Sequence, residues 1–273
     1  AARYLLIEDV LYKRSHTLPY LHCLGPNEAT LVLIDIHSGL CGGHIGGRSL
    51  AHKALRQGYY WPTMRGDSQE LVKKCERCQQ HQNIPHSPAG EYTALSAPWP
   101  FAQWGIDIMG PFHAAPGQVT HLLMAIDYFT KWVEAKALAT ITASNVVNFI
   151  WQDIVCRYGI PRVIISDGGG QFDCQQMRNF CREHRIQHRI CSVAYPQSNG
   201  QIEVTNRTIK HGLKTRLGLA KGKWVENLPN VLWSYRTTPT STTGESPFSL
   251  AFGTEAVIPA ELEVHSLLSL IHI

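Results

Sequence analysis

Val163-Ile-Ile-Ser-Asp167-Gly-Gly-Gly-Gln-Phe172 is a short apolar run that ends in an acid and is followed by three glycines. An apolar run this short, bounded by turn residues, reads as a buried strand. An acid at the C-terminal end of such a strand stands where α/β folds place their ligands. Glycines directly after it let backbone approach a ligand closely. Working outward, Gln103–Ile108, Val119–Asp127 and Lys131–Leu138 are further runs of strand length, and His188–Ser192 reads as another strand. Ser144–Tyr158, Gln171–His184, Ser198–Leu219 and Trp224–Tyr235 carry helical patterns. Strands first, then strands alternating with helices, predict an α/β layer fold with a mixed sheet.

Two more acids complete a set with Asp167. Asp107 lies in Trp104-Gly-Ile-Asp107-Ile-Met-Gly-Pro111, in the run that starts the sheet. Glu203 lies in Tyr195-Pro-Gln-Ser-Asn-Gly-Gln-Ile-Glu203, on a helix, with 35 residues between it and Asp167. Singly, an Asp after a strand is a cap or turn residue, and a Glu on a helix is a solvated face. Brought to one point, carboxylates repel one another and need a cation between them. Mg²⁺ takes one or two carboxylates plus phosphate oxygens, so three acids suit two Mg²⁺ or Mn²⁺ ions. Paired cations cut and rejoin phosphodiesters.

The helix that carries Glu203 is patterned. At 100° per residue, Glu203, Arg207, Lys210 and Lys214 share an arc of about 60°. Ile202, Ile209, Leu213 and Leu217 form a separate apolar face, with Asn206 between the two. An acid followed by three cations suits a metal ligand beside a phosphate backbone. An ordinary surface helix shows the same opposition of charge and apolar stripe. Ser198 or Asn199 is positioned to cap this helix.

Net charge is only +4, but its distribution is uneven. From Arg207 to Lys223 there are six basic residues and no acid, the footprint of a polyanion partner. No apolar run approaches the roughly 20 residues needed to span a bilayer. Of eight cysteines, six are scattered singly and read as reduced, buried thiols. The other two form Cys75-x-x-Cys78.

His37 and His44, with six residues between them, precede this pair by thirty residues. Two imidazoles and two thiolates satisfy a tetrahedral Zn²⁺, although C-x-x-C alone is shared with redox motifs. Cys41 and His81 are neighbouring rival ligands. The surrounding segment is small enough to have a marginal core, so the metal would be structural. Arg48–Gln57 reads as a helix, Thr63 as the cap of a second helix reaching Cys75, and Tyr59, Tyr60 and Trp61 as core residues. Residues 3–15 read as a hairpin. Residues 82–100 hold four prolines and no periodicity, and read as a linker.

Several strings together resemble one family. They are Tyr60-Trp-Pro-Thr-Met, Cys75-x-x-Cys-Gln, Trp104-Gly-Ile-Asp-Ile-Met-Gly-Pro-Phe, Ser166-Asp, Gln171-Phe, Ala194-Tyr-Pro-Gln-Ser-Asn-Gly-Gln, Glu203-Val-Thr-Asn-Arg-Thr and Leu232-Trp-Ser-Tyr-Arg-Thr-Thr. In this order the chain is similar to the integrase of a gypsy-class LTR retrotransposon, most of all to plant copies. The resemblance implies an RNase H-like core with Asp107, Asp167 and Glu203 as its triad, and a small helical zinc-binding domain closed by His37, His44, Cys75 and Cys78. It implies a domain order of 1–30 extension, 31–83 zinc module, 84–98 linker, 99–262 catalytic core and 263–273 truncated tail, without the β-barrel that usually follows. It implies DNA contact by Gln197, Ser198, Asn199, Asn206, Arg207, Lys210 and Lys214. Where the family usually has Asn after the second acid, this chain has Gly168.

The activity so implied is a polynucleotidyl transferase. Water trims the 3′ end of linear element DNA, and the freed 3′ hydroxyl attacks a phosphodiester of target DNA. Two Mg²⁺ (or Mn²⁺) and one structural Zn²⁺ are the expected cofactors. Double-stranded DNA and further copies of the chain are the expected partners. The expected location is the nucleus, after a cytoplasmic virus-like particle stage. A relic that binds DNA without cutting it, and a nuclease of RNA–DNA hybrids, are the rival readings.

Overall fold

The computed structural model describes residues 3–7, 9–15, 20–39, 42–81, 97–191, 200–217, 221–240 and 242–258. Gln197, Ser198 and Asn199 lie outside the described residues, as does Cys41. The chain divides into two compact units, one drawn from residues 1–83, 214–218 and 233–273, the other from 84–213 and 219–232. Among the described residues, no helix is long and apolar enough to cross a membrane.

The first unit opens with β1 (Tyr4–Ile7), β2 (Val10–Lys13) and β3 (Leu21–Cys23), an antiparallel meander. Helices α1 (Pro26–Ser38) and α2 (Gly47–Arg56) follow, and then β4 (Tyr59–Tyr60), which pairs parallel to β3 and completes a four-stranded sheet. α3 (Met64–Lys74) and α4 (Glu76–Gln80) close the run. α1 starts with proline, whose missing N–H costs nothing in a first turn, and the Glu28 carboxylate accepts from Gly25 N at 3.0 Å. Leu33, Ile36, Leu50, Ala54, Tyr59, Trp61 and Met64 bury one core, which also takes in Ile258. Tyr59 and Trp61 are thus core residues. The Thr63 hydroxyl does not cap α3 as expected. It donates to Asp67 Oδ2 at 2.7 Å, an oxygen that also accepts from Trp61 Nε1.

Residues 233–258 group with this unit. Ile258 supplies apolar area, and Arg56 ties α2 to the segment through Glu245 and, at 2.6 Å, through Glu255. The buried Lys53 ammonium donates to Thr237 Oγ1 at 2.8 Å.

The second unit is built on a five-stranded sheet. Its strands are β5 (Gln103–Met109), β6 (His121–Asp127), β7 (Val133–Leu138), β8 (Val163–Ser166) and β9 (Gln187–Ile190), in the order β7-β6-β5-β8-β9. β5, β6 and β7 are antiparallel, and β8 and β9 add in parallel to the other side of β5. The sheet is mixed, as its strand patterns predict. α5 (Ala143–Phe149) is capped by the Thr142 hydroxyl and continues as a π-helical stretch over Ile150–Val155 into a last turn, α6 (Cys156–Tyr158). α7 (Gln175–Glu183) starts four residues later than expected, because Gly169 O accepts from both Phe172 N and Asp173 N in a separate turn. α8 (Gly200–Leu217), a 3-10 turn over Lys221–Lys223 and α9 (Trp224–Arg236) follow, and α10 (Pro247–Phe252) comes last.

Candidate functional site

Asp107 sits on the central strand β5, opposite Met124 of β6. Asp167 follows the last residue of β8, the parallel neighbour of β5, and its Oδ1 accepts from Gly169 N at 3.1 Å. Glu203 is exposed in the first turn of α8. Asp167 and Glu203 lie within electrostatic reach of Asp107. Its carboxyl is held above the usual carboxylate range by burial first, and then by the negative charges of Asp167 and Glu203. Hydrogen bonds from Ile108 N (2.8 Å) and the Asn206 amide act in the opposite sense. Among the described residues no lysine or arginine pairs with any of the three acids. Acids whose charges act on one half-buried carboxyl, with no cationic side chain paired to them, suit divalent cations. The three are gathered more loosely than the histidines and cysteines described next, whose ligand atoms all lie within 4.8 Å of one another.

That tighter group is His37, His44, Cys75 and Cys78. His37 is fully buried in the last turn of α1. His44 follows a glycine loop and adopts φ +49°, in the left-handed region. Gly42 is required there, because a Cβ at this position would lie 2.6 Å from the His37 carbonyl. Cys75 ends α3 and opens α4, and Cys78 lies within α4, so the short helix presents both thiols. Cys78 Sγ is 3.3 Å from His37 Nε2, and Cys75 Sγ is 3.4 Å from His44 Nδ1. These separations match two ligands on one tetrahedral Zn²⁺ with bonds of about 2.0–2.3 Å. Burial keeps both imidazoles in the neutral, ligating form, with His44 lowered to about 4. Burial, then Cys75, pushes the Cys78 thiol up to about 12. His81 is not part of the group. Arg216 Nε and Nη2 donate to the carbonyls of Gly42 (2.9 Å) and Gly39 (2.8 Å), which pins the loop between the histidines.

Residues 25–84 match the family model of the integrase zinc binding domain, and residues 97–196 match that of the integrase core domain. The chain carries an integrase zinc-binding domain and an integrase core domain. It is similar to the Gag-Pol polyprotein of woolly monkey sarcoma virus, 31% identical over 215 residues, covering 77% of this chain and 12% of the polyprotein. It is also similar to the gypsy retrotransposon integrase-like protein 1 of Bos taurus, 27% identical over 239 residues, covering 87% of this chain and 47% of that protein. The chain therefore spans less than half of either relative. In the simian T-cell lymphotropic virus intasome, solved with PP2A regulatory subunit B56 gamma, one chain superposes with a TM-score of 0.54 at 20% identity, covering 85% of this chain and 77% of that one. The fold of the core is RNase H-like, preceded by the zinc-binding module.

The integrase core disposes the remaining candidates in two ways. Arg207, Lys210 and Lys214 are exposed, while Ile202, Ile209 and Leu213 are buried, so the opposition of faces along α8 holds. Asn206, expected among the DNA contacts, turns inward instead. It is 9% exposed, its Nδ2 donates to Asp107 Oδ2, and its Oδ1 is buried without a hydrogen-bond partner. A helix wheel puts it between two faces, and an acid across the sheet decides which one it joins. Gly168 leaves room for a side chain, since a Cβ there meets nothing nearer than Ile190 at 3.6 Å, and Gly170 faces open space.

Two groups beside the acids escaped sequence reading. The buried Ser166 hydroxyl donates to the Asp167 carbonyl at 3.0 Å and lies 2.8 Å from His188 Nε2. Lys131 reaches α8 from the β6–β7 turn. The pattern Asp127-x-x-Thr130 signals that turn, because an Asp side chain can accept from the backbone ahead of it. Nothing in the pattern tells where the lysine that follows will point.

Proposed function

We propose that this chain is the integrase of a gypsy-class LTR retrotransposon of plant type, which trims the 3′ ends of element DNA and joins them to target DNA. The observation that supports the reading is that the negative charges of Asp167 and Glu203 act on the half-buried Asp107 carboxyl, on a strand whose neighbouring helix has an exposed basic face. Asp107 with Asp167, and Asp107 with Glu203, would hold two Mg²⁺ or Mn²⁺ ions, which supply charge neutralisation for both the entering and the leaving oxygen. The protein's own part is to place these acids and to hold the DNA in line for displacement. In trimming, a water oxygen bonds to phosphorus as the bond to the 3′ oxygen breaks, leaving a 3′ hydroxyl. In joining, that hydroxyl attacks a target phosphorus and a target 3′ oxygen departs. His37, His44, Cys75 and Cys78 would hold a structural Zn²⁺.

Arg207, Lys210 and Lys214 would neutralise phosphates, and each one removed should lower the salt slope of DNA binding by about one. Gln197, Ser198 and Asn199 are proposed as further DNA contacts. Joining two ends requires more than one copy of the chain, acting on chromosomal DNA in the nucleus after a cytoplasmic particle stage. The test is strand transfer and disintegration on a labelled branched oligonucleotide with Mg²⁺ or Mn²⁺, for wild type and Glu203→Gln. Joining by wild type alone supports the reading. DNA binding without joining, in folded and zinc-loaded protein, would replace it with a DNA-binding relic, and preference for RNA–DNA hybrid with a nuclease.

A further inference from the structure

The turn between β6 and β7 is unusually well tied. Asp127 is fully buried, and its Oδ2 accepts from both Thr130 N and Thr130 Oγ1 at 2.7 Å. Lys131 N donates to Asp127 O at 2.9 Å, and Lys131 adopts φ +62°, a conformation that non-glycine residues hold only when their surroundings impose it. Its ammonium is hydrogen-bonded within the protein. Nζ donates to Tyr128 O at 2.6 Å and to Gln201 Oε1 at 2.8 Å. Gln201 is in the first turn of α8, two residues before Glu203. The same turn reaches the strand of Asp107. The Tyr128 ring covers Gly105, where a Cβ would lie 2.7 Å from the ring, and Tyr128 N donates to Gln103 O at 2.9 Å.

We infer that Lys131, acting through Gln201, is a positioning residue that sets Glu203 against Asp107 for cation binding. The inference rests on the catalytic reading above and adds a residue outside the triad. One five-residue turn touches both the strand that carries one acid and the helix that carries another. A charge-assisted hydrogen bond from an ammonium to a side-chain amide fixes both the reach and the rotation of the helix start. The lysine is half-buried, and its two hydrogen bonds are made inside the protein. A lysine recruited for phosphate would instead present its ammonium outward.

The experiment compares Lys131→Met, Gln201→Leu, the double variant, Lys131→Arg and Lys131→Gly in the full chain. Joining is titrated with Mn²⁺, and metal-free unfolding in denaturant is measured alongside. The expected result is a rise of about tenfold in the Mn²⁺ needed for half-maximal joining in either single variant, as found for residues that orient metal ligands. Activity at saturating Mn²⁺ should be largely restored, and the double variant should be no worse than the worse single one. Lys131→Arg should stay near wild type. Lys131→Gly relieves the left-handed backbone, so it should keep stability yet show the same Mn²⁺ requirement, separating positioning from folding. The inference is overturned if the two single effects add, if metal-free unfolding shows no coupling between the positions, or if Lys131→Met lowers the salt slope of DNA binding by about one.

If wild type does not join DNA at all, the catalytic reading fails on its own account. The Mn²⁺-induced rise in melting temperature then becomes the readout. It should be lost in Glu203→Gln and diminished in Lys131→Met. Equal rises in wild type and Lys131→Met, or none in wild type, would overturn the inference.

Discussion

Asn206 donates its side-chain amide to Asp107, so the helix that carries one acid is bonded directly to another acid on the central strand. The residue stands one turn beyond Glu203, and its other amide atom is buried and unpartnered. Asn206→Leu removes the donor that favours the charged form of Asp107. A hydrogen bond to a charged group contributes about 1.5–3 kcal/mol. The expected result is a loss of joining by about tenfold or more, with the acid limb of the pH–rate profile moved to higher pH. Asn206→Asp should do worse, because it sets a further carboxylate against Asp107. An unchanged pH profile in Asn206→Leu would show that the bond has no part in tuning the acid.

Asp107 also makes a statement about stability. Its folded value lies above the ordinary carboxylate range because of burial and of Asp167 and Glu203. The fold therefore binds the proton better than the unfolded chain does. The stabilising contribution is complete below the unfolded value and is lost as pH rises through the raised folded one. At neutral pH without divalent cations, Asp107→Asn should melt higher than wild type and abolish joining. Mn²⁺ should raise the melting temperature of wild type and not that of the variant. Thermal scans at pH 5 and pH 7, with and without Mn²⁺, check both halves.

The zinc module gives a proton count. His44, lowered to about 4, needs no deprotonation to ligate at pH 7, whereas Cys78, pushed up to about 12, must lose a proton. Zinc binding should release protons from thiols and not from imidazoles. Release of zinc on acidification should follow protonation of the thiolates. Chelation should open the core around Trp61, read by its fluorescence, and Cys78→Ser should mimic chelation. Calorimetry in buffers of different ionisation enthalpy counts the protons, and a count of zero would contradict the assignment.

Arg56 bridges the zinc module's α2 to Glu245 and Glu255. Glu255 is buried, so Arg56→Met leaves a charge without its partner, which costs about 3 kcal/mol or more. Arg56→Met with Glu255→Leu should recover much of the loss, because no buried charge is then left alone. Denaturant unfolding of the four proteins completes the cycle. An Arg56→Met variant as stable as wild type would mean that residues 233–258 are not held by this pair.

Gly168 has room for a side chain. Gly168→Asn should fit without displacing neighbours and stabilise by about 0.4–1 kcal/mol, by restricting the unfolded chain. Joining by the variant should equal or exceed wild type. A destabilised variant would mean that the loop needs glycine after all.

The strands of the sheet and the His-His-Cys-Cys group were legible in the sequence because each rests on a local pattern. Apolar run length marks β5, β6 and β8, and ligand spacing marks Cys75 and Cys78. What was not legible depends on residues distant in the chain. Asn206 turns toward Asp107, 99 positions away, and no wheel contains that acid. β3 and β4 are too short to show alternation and exist because Gly58 and Tyr60 carbonyls pair with His22 and Leu24. Glu255 joins Arg56 from 199 positions away, and Ile258 joins the α1–α2 core from a similar distance along the chain, which no local pattern announces. The π-helical stretch in α5–α6 leaves the apolar face nearly unchanged, so periodicity does not register it.

The turn from Asp127 to Lys131 bears on how copies of such an element are sorted into live and dead. A genomic survey that asks only whether the three acids survive would count as competent any copy that had lost Asp127, Thr130, Lys131 or Gln201. If the turn sets Glu203, those copies need more metal to act while their catalytic signature is intact, and such a survey should be taken over the turn as well as over the acids.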